Sequence, residues 1–171
     1  MISENADFEN YSGGTGSVND PYIISTESDL LNISLHMDAC YRLNKNIAID
    51  DIENWEPFGG ANKANPFTGV IDGDGFSIVG LSRSSAFELT DGCVFYGFIG
   101  CLGNKGVIKN LTLSAINISL TESPAGNIFV SGFCGYSYGS IINCSISGQI
   151  NYAVYNTGGA HVSGICGYLN G

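Results

Sequence analysis

Two closely spaced carboxylates, Asp72 and Asp74, are the residues of this sequence best placed for acid–base chemistry or for binding a cation. Both can lie on the same side of a strand, and polysaccharide-cleaving enzymes use paired carboxylates in this way. Carboxylate-rich turns also bind calcium. The run Asp-Gly-Asp-Gly is ordinary turn sequence, however, and the six basic residues of the chain are few for holding an anionic polysaccharide. We therefore favour a turn, and keep a polysaccharide-active enzyme and a cation site as weaker alternatives.

Neither of the two histidines belongs to a recognisable catalytic or metal-binding set. His36 falls in a predicted helix and His161 in an apolar, strand-like stretch, and neither has a Cys or His partner at zinc-site spacing. No serine has a base at the spacing of a Ser-His-Asp triad, and no glycine run matches a phosphate-binding or dinucleotide-binding loop. The sequence therefore predicts a non-enzymatic protein without a metal or a cofactor.

The cysteines favour free, buried thiols over a disulfide framework. No Cys-x-x-Cys pair occurs, and Cys134, Cys144 and Cys166 stand in apolar runs, where a free cysteine packs as a small hydrophobic side chain. We predict that all six thiols are free, and that Cys134 and Cys166 point inward at equivalent places of a repeat. The remaining cysteines are Cys40, Cys93 and Cys101.

The charges are unevenly distributed along the 171 residues. Sixteen acidic and six basic residues give a net charge of −10, which argues against nucleic acid as a partner. Eleven of the carboxylates lie in residues 1–56, whereas residues 123–171 contain no Asp, Glu, Lys or Arg. Because that stretch is rich in Val, Ile, Phe and Tyr, we expect it to be packed and not disordered. No apolar run approaches the ~18 residues of a membrane-spanning helix, so membrane insertion is not expected.

A repeat of 32 to 35 residues organises the second half of the sequence. Its signature is Gly-apolar-x-Gly followed by a turn, and the first glycines are Gly97, Gly132 and Gly164. Between the signatures, apolar and polar residues alternate with the period of a strand. The repeat therefore predicts an all-β, right-handed parallel β-helix, with repeats at about 97–131, 132–163 and 164–171. Equivalent residues should stack, with Ile99, Cys134 and Cys166 in one ladder and Asn110 and Asn143 in another.

A short helix should precede the strands and cap the solenoid. Thr26 and Asp29 form a capping-box pattern at the start of an amphipathic stretch. We expect one domain with an N-terminal segment over residues 1–25, a capping helix over 26–40 and a β-helix over 41–171. The next strand is expected over residues 41–49.

Three further patterns lie in the first half, YSGGTGSVNDPYIIS at 11–25, WEPFG at 55–59 and FTGVIDGDGFSIVGL at 67–81. Together with the Gly-x-x-Gly repeats, they resemble the GLUG-motif repeat region of bacterial surface adhesins and immunoglobulin A-cleaving metallopeptidases, over roughly residues 8–171. Phe98, Phe133 and Ile165 stand where the family name implies Leu. The resemblance implies β-helical stalks and binding surfaces, with zinc chemistry confined to a separate domain that carries a His-Glu-x-x-His helix. This sequence contains no such helix motif.

Tyrosines are the best candidates for a binding surface. Tyr136 and Tyr168 follow the second signature glycine of successive repeats, and Tyr138 is close to them. Stacked tyrosines form a flat face for a sugar ring or a partner protein. We predict that Tyr136 and Tyr168 form an exposed ladder that, with Tyr138 as a further ligand-binding residue, recognises a protein or a neutral glycan, and that charged ligands fit it poorly. The alternative is that the ladder only stabilises the stack of coils.

Two functions of different classes follow from these observations. The first is a binding or stalk module of a bacterial surface or secreted protein, located outside the cell, whose solenoid ends can also stack between chains. The second is a complete, cytoplasmic acidic protein of phage or mobile-element origin that inhibits or decoys a protein partner. The second is favoured by the initial methionine, by the polar start of the chain, which lacks a signal-peptide pattern, and by the charge of −10.

Overall fold

The computed structural model describes residues 11–50, 52–61, 63–84, 93–120, 126–153 and 159–170. These residues form a parallel β-solenoid of about three turns with one short helix near the N-terminus, which confirms the predicted fold class. The strands are β1 Tyr22–Ile24, β2 Cys40–Leu43, β3 Ile47–Ala48, β4 Val70–Asp72, β5 Ser77–Val79, β6 Ser82–Arg83, β7 Cys93–Tyr96, β8 Ile99–Leu102, β9 Val107–Lys109, β10 Thr112–Leu120, β11 Asn127–Ser131, β12 Cys134–Ser137, β13 Ser140–Ile142, β14 Ser145–Tyr152, β15 Ala160–Ser163 and β16 Cys166–Leu169.

The strands form four parallel sheets that run along the solenoid. Sheet A has the order β1-β2-β4-β9-β13, and sheet B has the order β14-β10-β5-β3 with β6 also paired to β10. Sheet C has the order β16-β12-β8, and sheet D has the order β15-β11-β7. Because strands of successive coils pair in parallel within each sheet, equivalent side chains of successive coils lie next to each other.

The inward ladder of the repeat lies where the sequence places it. Cys134 pairs with Ile99 on one side and with Cys166 on the other. Ile99 and Cys134 are fully buried in the main core, and Cys166 packs against that core. All six cysteines are free thiols, as predicted.

The asparagines at one corner form the predicted ladder. Asn110 and Asn143 both adopt left-handed backbone conformations, with φ of 53° and 51°, which Asn tolerates better than most residues. The Asn143 amide donates to Asn110 Oδ1 over 2.9 Å, and the Asn110 amide donates to Asp72 Oδ1 over 3.0 Å. The corner is therefore held by side chains from three successive coils.

The N-terminal helix is shorter than the predicted one over 26–40. Helix α1 spans Glu27–Leu31 and continues as a 3-10 turn over Asn32–Leu35. Its capping box is present, because Thr26 accepts from the Asp29 N–H and Asp29 accepts from the Thr26 N–H. The predicted strand over 41–49 is also wrong in extent, since the polar turn at 44–46 divides it into β2 and β3.

The N-terminal end of the solenoid is covered by irregular chain. Gly13 accepts a hydrogen bond from Ile23 on the outer edge of β1. Residues 52–61 and 63–68 lie along the outer edges of sheets C and D, where Phe58 bridges to Ile99, Phe67 bridges to Leu102 and the Phe95 N–H donates to Ala61. Trp55, in the same segment, is 1% exposed and stacks on Phe98. The outer edges of sheets A, C and D thus have hydrogen-bond partners within the chain.

A candidate binding groove

Two side-chain ladders lie on sheets C and D outside the main core. The ladder on sheet D consists of Phe95, Phe129 and His161, which are register partners in β7, β11 and β15. The imidazole of His161 stacks on Phe129 with a centroid distance of 4.6 Å and an interplanar angle of 5°. The sheet D ladder therefore continues to the last described coil.

The ladder on sheet C consists of Cys101, Tyr136 and Tyr168, which are register partners in β8, β12 and β16. The two tyrosine rings stack with a centroid distance of 4.8 Å and an interplanar angle of 18°. The predicted Tyr136–Tyr168 stack is confirmed. The first position of this ladder holds Cys101, so the ladder has a large aromatic side chain in two coils and a small side chain in one.

The two ladders pack against each other and together line an open groove of about 550 Å³. Rings contact one another from both sides, since Phe95 lies 4.9 Å from Tyr136 and Phe129 meets Tyr168 edge-to-face at 5.7 Å. Such edge-to-face contacts are favourable arrangements of aromatic rings. The lining residues are Lys63, Ala64, Cys93, Phe95, Phe129, Tyr136 and Tyr168.

The second glycine of each signature allows the two sheets to come close enough to form this groove. A Cβ at Gly135 would lie 2.5 Å from the Tyr96 nitrogen and 2.8 Å from the Phe95 Cα, both in β7. A Cβ at Gly167 would lie 2.7 Å from the Gly135 oxygen. The signature glycine thus fixes the tight corner between sheets C and D. The tyrosine that follows it is thereby placed against the phenylalanines of sheet D.

One cation enters the groove from the segment 63–66. The ammonium of Lys63 lies 3.9 Å from the ring centroid of Tyr136 and 5.6 Å from that of Tyr138. Hydrogen bonding to the Tyr136 hydroxyl raises the pKa of Lys63 above its ordinary value, so this side chain is charged at neutral pH.

The predicted exposure of the tyrosines is only partly right. Tyr168 is 43% exposed and Tyr138 is 37% exposed, but Tyr136 is only 7% exposed because Tyr168 and Lys63 cover it. A hydrogen bond between the hydroxyls of Tyr136 and Tyr138 raises the pKa of Tyr136 and lowers the pKa of Tyr138. Tyr136 is therefore part of the wall of the groove, and the accessible tyrosine rings are Tyr168, which lines the groove, and Tyr138, which packs beside it on Tyr136.

Sequence reasoning missed the sheet D side of the groove and the lysine. Phe129 follows Phe95 by 34 residues and His161 follows Phe129 by 32, which are repeat spacings that would have revealed this ladder. Lys63 gives no such signal, because its segment has no counterpart in the later repeats.

Asp72 occupies a structural position at the asparagine corner. Its carboxylate accepts from Asn110 and from the Asp74 N–H, and it forms an ion pair of 3.1 Å with Lys109. The Asp74 side chain is exposed. Within the described parts of the chain, no three His, Cys, Asp or Glu side chains come together as potential metal ligands. These contacts fit the turn interpretation of the Asp-Gly-Asp-Gly run.

The chain resembles short parts of two much longer proteins and spans less than a fifth of either. It is 31% identical to a protein named as a Gly-rich membrane protein of Evansella cellulosilytica, over 82% of this chain and 16% of that protein. It is also 31% identical to the halomucin of Haloquadratum walsbyi, over 81% of this chain and 2% of that protein. No family model matches the sequence. No helix of the described residues has the length and apolar character needed to cross a membrane.

A solved structure shares the fold. The crystal structure of a chain from Bacteroides ovatus named as an immunoglobulin A1 protease superposes with a TM-score of 0.53, over 94% of this chain and 56% of that chain. The sequences are 16% identical. At this identity the likeness shows the β-solenoid fold alone.

Proposed function

We propose that this chain is a non-enzymatic binding module of a surface or secreted protein. The observation that carries the proposal is the groove lined by the ladders of sheets C and D, where aromatic side chains from successive coils lie outside the main core. Open grooves lined by aromatic rings and a few polar groups are typical of ligand sites. The names of the two relatives, a Gly-rich membrane protein and a halomucin, support a location outside the cell.

The side chains in the groove suit binding better than catalysis. Tyr168 lines the groove and Tyr138 packs on Tyr136 beside it, and both present exposed rings with hydroxyls. Ser and Asn residues are frequent in the neighbouring strands. Tyrosine provides large, rigid contact area at low conformational cost. The ligand proposed is a neutral glycan or a segment of a partner protein. Lys63 adds one hydrogen-bond donor at the groove wall.

The binding test uses arrays of neutral glycans and of extracellular proteins, probed with the 171-residue chain. The double variant Tyr138→Ala/Tyr168→Ala removes the two accessible rings, so binding to any positive spot should weaken about ten- to a hundredfold, since a stacking contact contributes roughly 0.5 to 1.5 kcal/mol. The matched control is Leu169→Ala. Leu169 lies in the same strand, is 69% exposed and pairs in register with Ser137.

The control separates loss of the groove from general disturbance of β16. Circular dichroism should show the same β-rich spectrum for all three proteins. Unchanged binding by the double variant, or equal weakening by Leu169→Ala, would contradict the groove as the binding surface.

A further inference from the structure

Lys63 gives one end of the groove a positive charge. Among the described residues that line the groove, Lys63 alone carries a charged side chain. No carboxylate of the described residues forms an ion pair with it, and the described carboxylate nearest to it in sequence, Glu56, is paired with Arg83 over 2.7 Å. More distant carboxylates of the chain act weakly here, because physiological salt screens exposed charges beyond about 8 Å. The ammonium of Lys63 is therefore available to an anionic group of a ligand.

Aromatic rings fix the position of this ammonium. It lies over the face of Tyr136, 3.9 Å from the ring centroid, and 5.6 Å and 5.9 Å from the centroids of Tyr138 and Phe95. A cation over an aromatic ring is attracted by the negative charge of the ring face. Because the Lys63 side chain is otherwise exposed, these rings hold its ammonium at the groove wall. A ligand thus meets a cation that is already in place, which lowers the entropy cost of binding.

The hydroxyls beside Lys63 leave hydrogen-bond donors for a ligand. The Tyr136–Tyr138 hydrogen bond raises the pKa of Tyr136 and lowers the pKa of Tyr138, as expected where the Tyr136 O–H donates and the Tyr138 oxygen accepts. The Tyr138 O–H is then free to donate. An ammonium has three N–H donors, and the hydrogen bonds of Lys63 to the two hydroxyls use two of them. One N–H and one O–H thus remain for the two oxygens of a carboxylate.

The surface next to these donors is apolar and leaves no face of Tyr136 open. Tyr168 stacks on one face of the Tyr136 ring, and Lys63 covers the other. Phe95 meets Tyr136 at an angle of 48°, and Cys93 lies beside them in the lining of the groove. A sugar ring that stacks on an aromatic side chain needs an open face, whereas an apolar amino-acid side chain packs equally well against ring edges. This end of the groove therefore suits a protein ligand better than a glycan.

We propose that the Lys63 end of the groove binds a segment of a partner protein in which an Asp or Glu stands beside an apolar residue. The carboxylate accepts from Lys63 and Tyr138, and the apolar side chain packs against Phe95 and Cys93. This recognition is a specific form of the proposed binding function and rests on it. It differs from the expectation that charged ligands fit poorly, because that expectation considers the tyrosines of the charge-free residues 123–171, and Lys63 lies outside them.

A matched pair of tetrapeptides tests this recognition by NMR titration of the 171-residue chain. The acidic probe is N-acetyl-Ser-Glu-Phe-Ser-amide, and the neutral probe has Gln in place of Glu. We expect the acidic peptide to bind about three- to tenfold more tightly, because hydrogen bonds to an ionised group are stronger than those to an amide. The perturbed amides should include those of Lys63, Phe95 and Tyr138. The preference should decrease as the NaCl concentration rises from about 50 to about 500 mM, because salt screens the charge pair.

Substitutions at the two donors should change the preference in different ways. Lys63→Gln should abolish it, whereas Lys63→Arg should retain it, because arginine keeps the positive charge. Tyr138→Phe removes only the hydroxyl and should reduce the preference about two- to threefold. The matched control is Lys45→Gln, which makes the same change of charge at an exposed lysine in the turn between β2 and β3. The control should bind both peptides as the wild type does.

The outcomes separate this proposal from the binding function on which it rests. Equal affinity for the two peptides, no binding of the acidic peptide up to about 20 mM, or a preference that survives in Lys63→Gln would overturn the proposal. A neutral glycan that perturbs the groove when the acidic peptide does not would also overturn it, but would leave the binding function intact. Unperturbed groove amides with every glycan, protein and peptide would contradict both.

Discussion

At the level of single residues, the corner formed by Asp72, Asn110 and Asn143 explains how polar side chains hold one coil to the next. Each amide donates to the residue of the preceding coil, and the ladder ends on a carboxylate. Lys109, from the coil of Asn110, adds an ion pair to that carboxylate. Asp72 is one of the two aspartates that the sequence offers for an enzyme or a cation site. In the structure it has a structural role, because it holds this corner together.

The ionisation of Asp72 makes the corner sensitive to acid. Desolvation alone would raise the pKa of Asp72, but hydrogen bonds from Asn110 and the Asp74 N–H, together with Lys109, outweigh it and hold the pKa below its ordinary value of 3.8. Because the folded-state pKa is lowered, the stabilisation is fully present above that ordinary value and is lost as the pH falls through the folded-state pKa.

Urea unfolding of the wild type and of Asp72→Asn tests this effect. At pH 7 we expect the variant to be less stable by roughly 0.5 to 1 kcal/mol, since the Lys109 pair is partly exposed. The difference should begin to shrink near pH 3.8, where Asp72 of the unfolded chain becomes protonated, and should disappear once the pH is below the lower folded-state pKa. Asp74→Asn is the control, since Asp74 lies in the same turn with an exposed side chain. A difference that stays constant from pH 7 to pH 2.5 would contradict the role of the carboxylate charge.

At the level of elements, the signature glycines determine how the sheets meet. The first glycine of the last coil, Gly164, has open space around it, with only the end of Ile146 at 3.7 Å from a Cβ built there. The second glycine, Gly135, has backbone of β7 within 3.0 Å. In the preceding coil the first glycine is also close-packed, since a Cβ at Gly132 would clash with Ile146 of β14 and lie 2.8 Å from the Gly164 oxygen; Gly164 differs because it lies in the last described coil.

This difference predicts unequal effects of alanine at the two positions. Gly135→Ala should lower the free energy of unfolding by about 2 to 3 kcal/mol, because the backbone of β7 must shift to admit a methyl group. Gly164→Ala should change it by less than about 0.5 kcal/mol, as for a surface substitution. Thermal unfolding followed by circular dichroism measures both. Equal midpoints for the two variants would contradict the close approach of sheets C and D at Gly135.

The elements also show what the sequence could predict. Residues at the same position of a repeated motif are expected to meet across coils, so two contacts follow from spacing alone. They are the contact of Cys134 with Cys166 and that of Asn110 with Asn143. The start of the helix after Thr26 was predictable from its capping box. The end of the helix was not predictable, because tertiary contacts and the start of β2 at Cys40 decide where it stops.

At the level of the whole molecule, the groove depends on the angle between two sheets, which no local pattern specifies. The Tyr136–Tyr168 stack was predictable, whereas the burial of Tyr136 was not, because Lys63 reaches it from a segment outside the repeats. The opposing Phe95 and Phe129 have repeat spacing in the sequence, yet only the fold shows that they face the tyrosines.

The most direct test of the binding proposal is NMR chemical-shift mapping on the 171-residue chain with the strongest ligand from the glycan and protein arrays. The groove predicts that perturbed amides lie in β7, β11, β12 and β16 and around Lys63, while sheets A and B remain unchanged. Perturbations confined to sheets A and B, or spread evenly over the four sheets, would contradict the groove as the binding site.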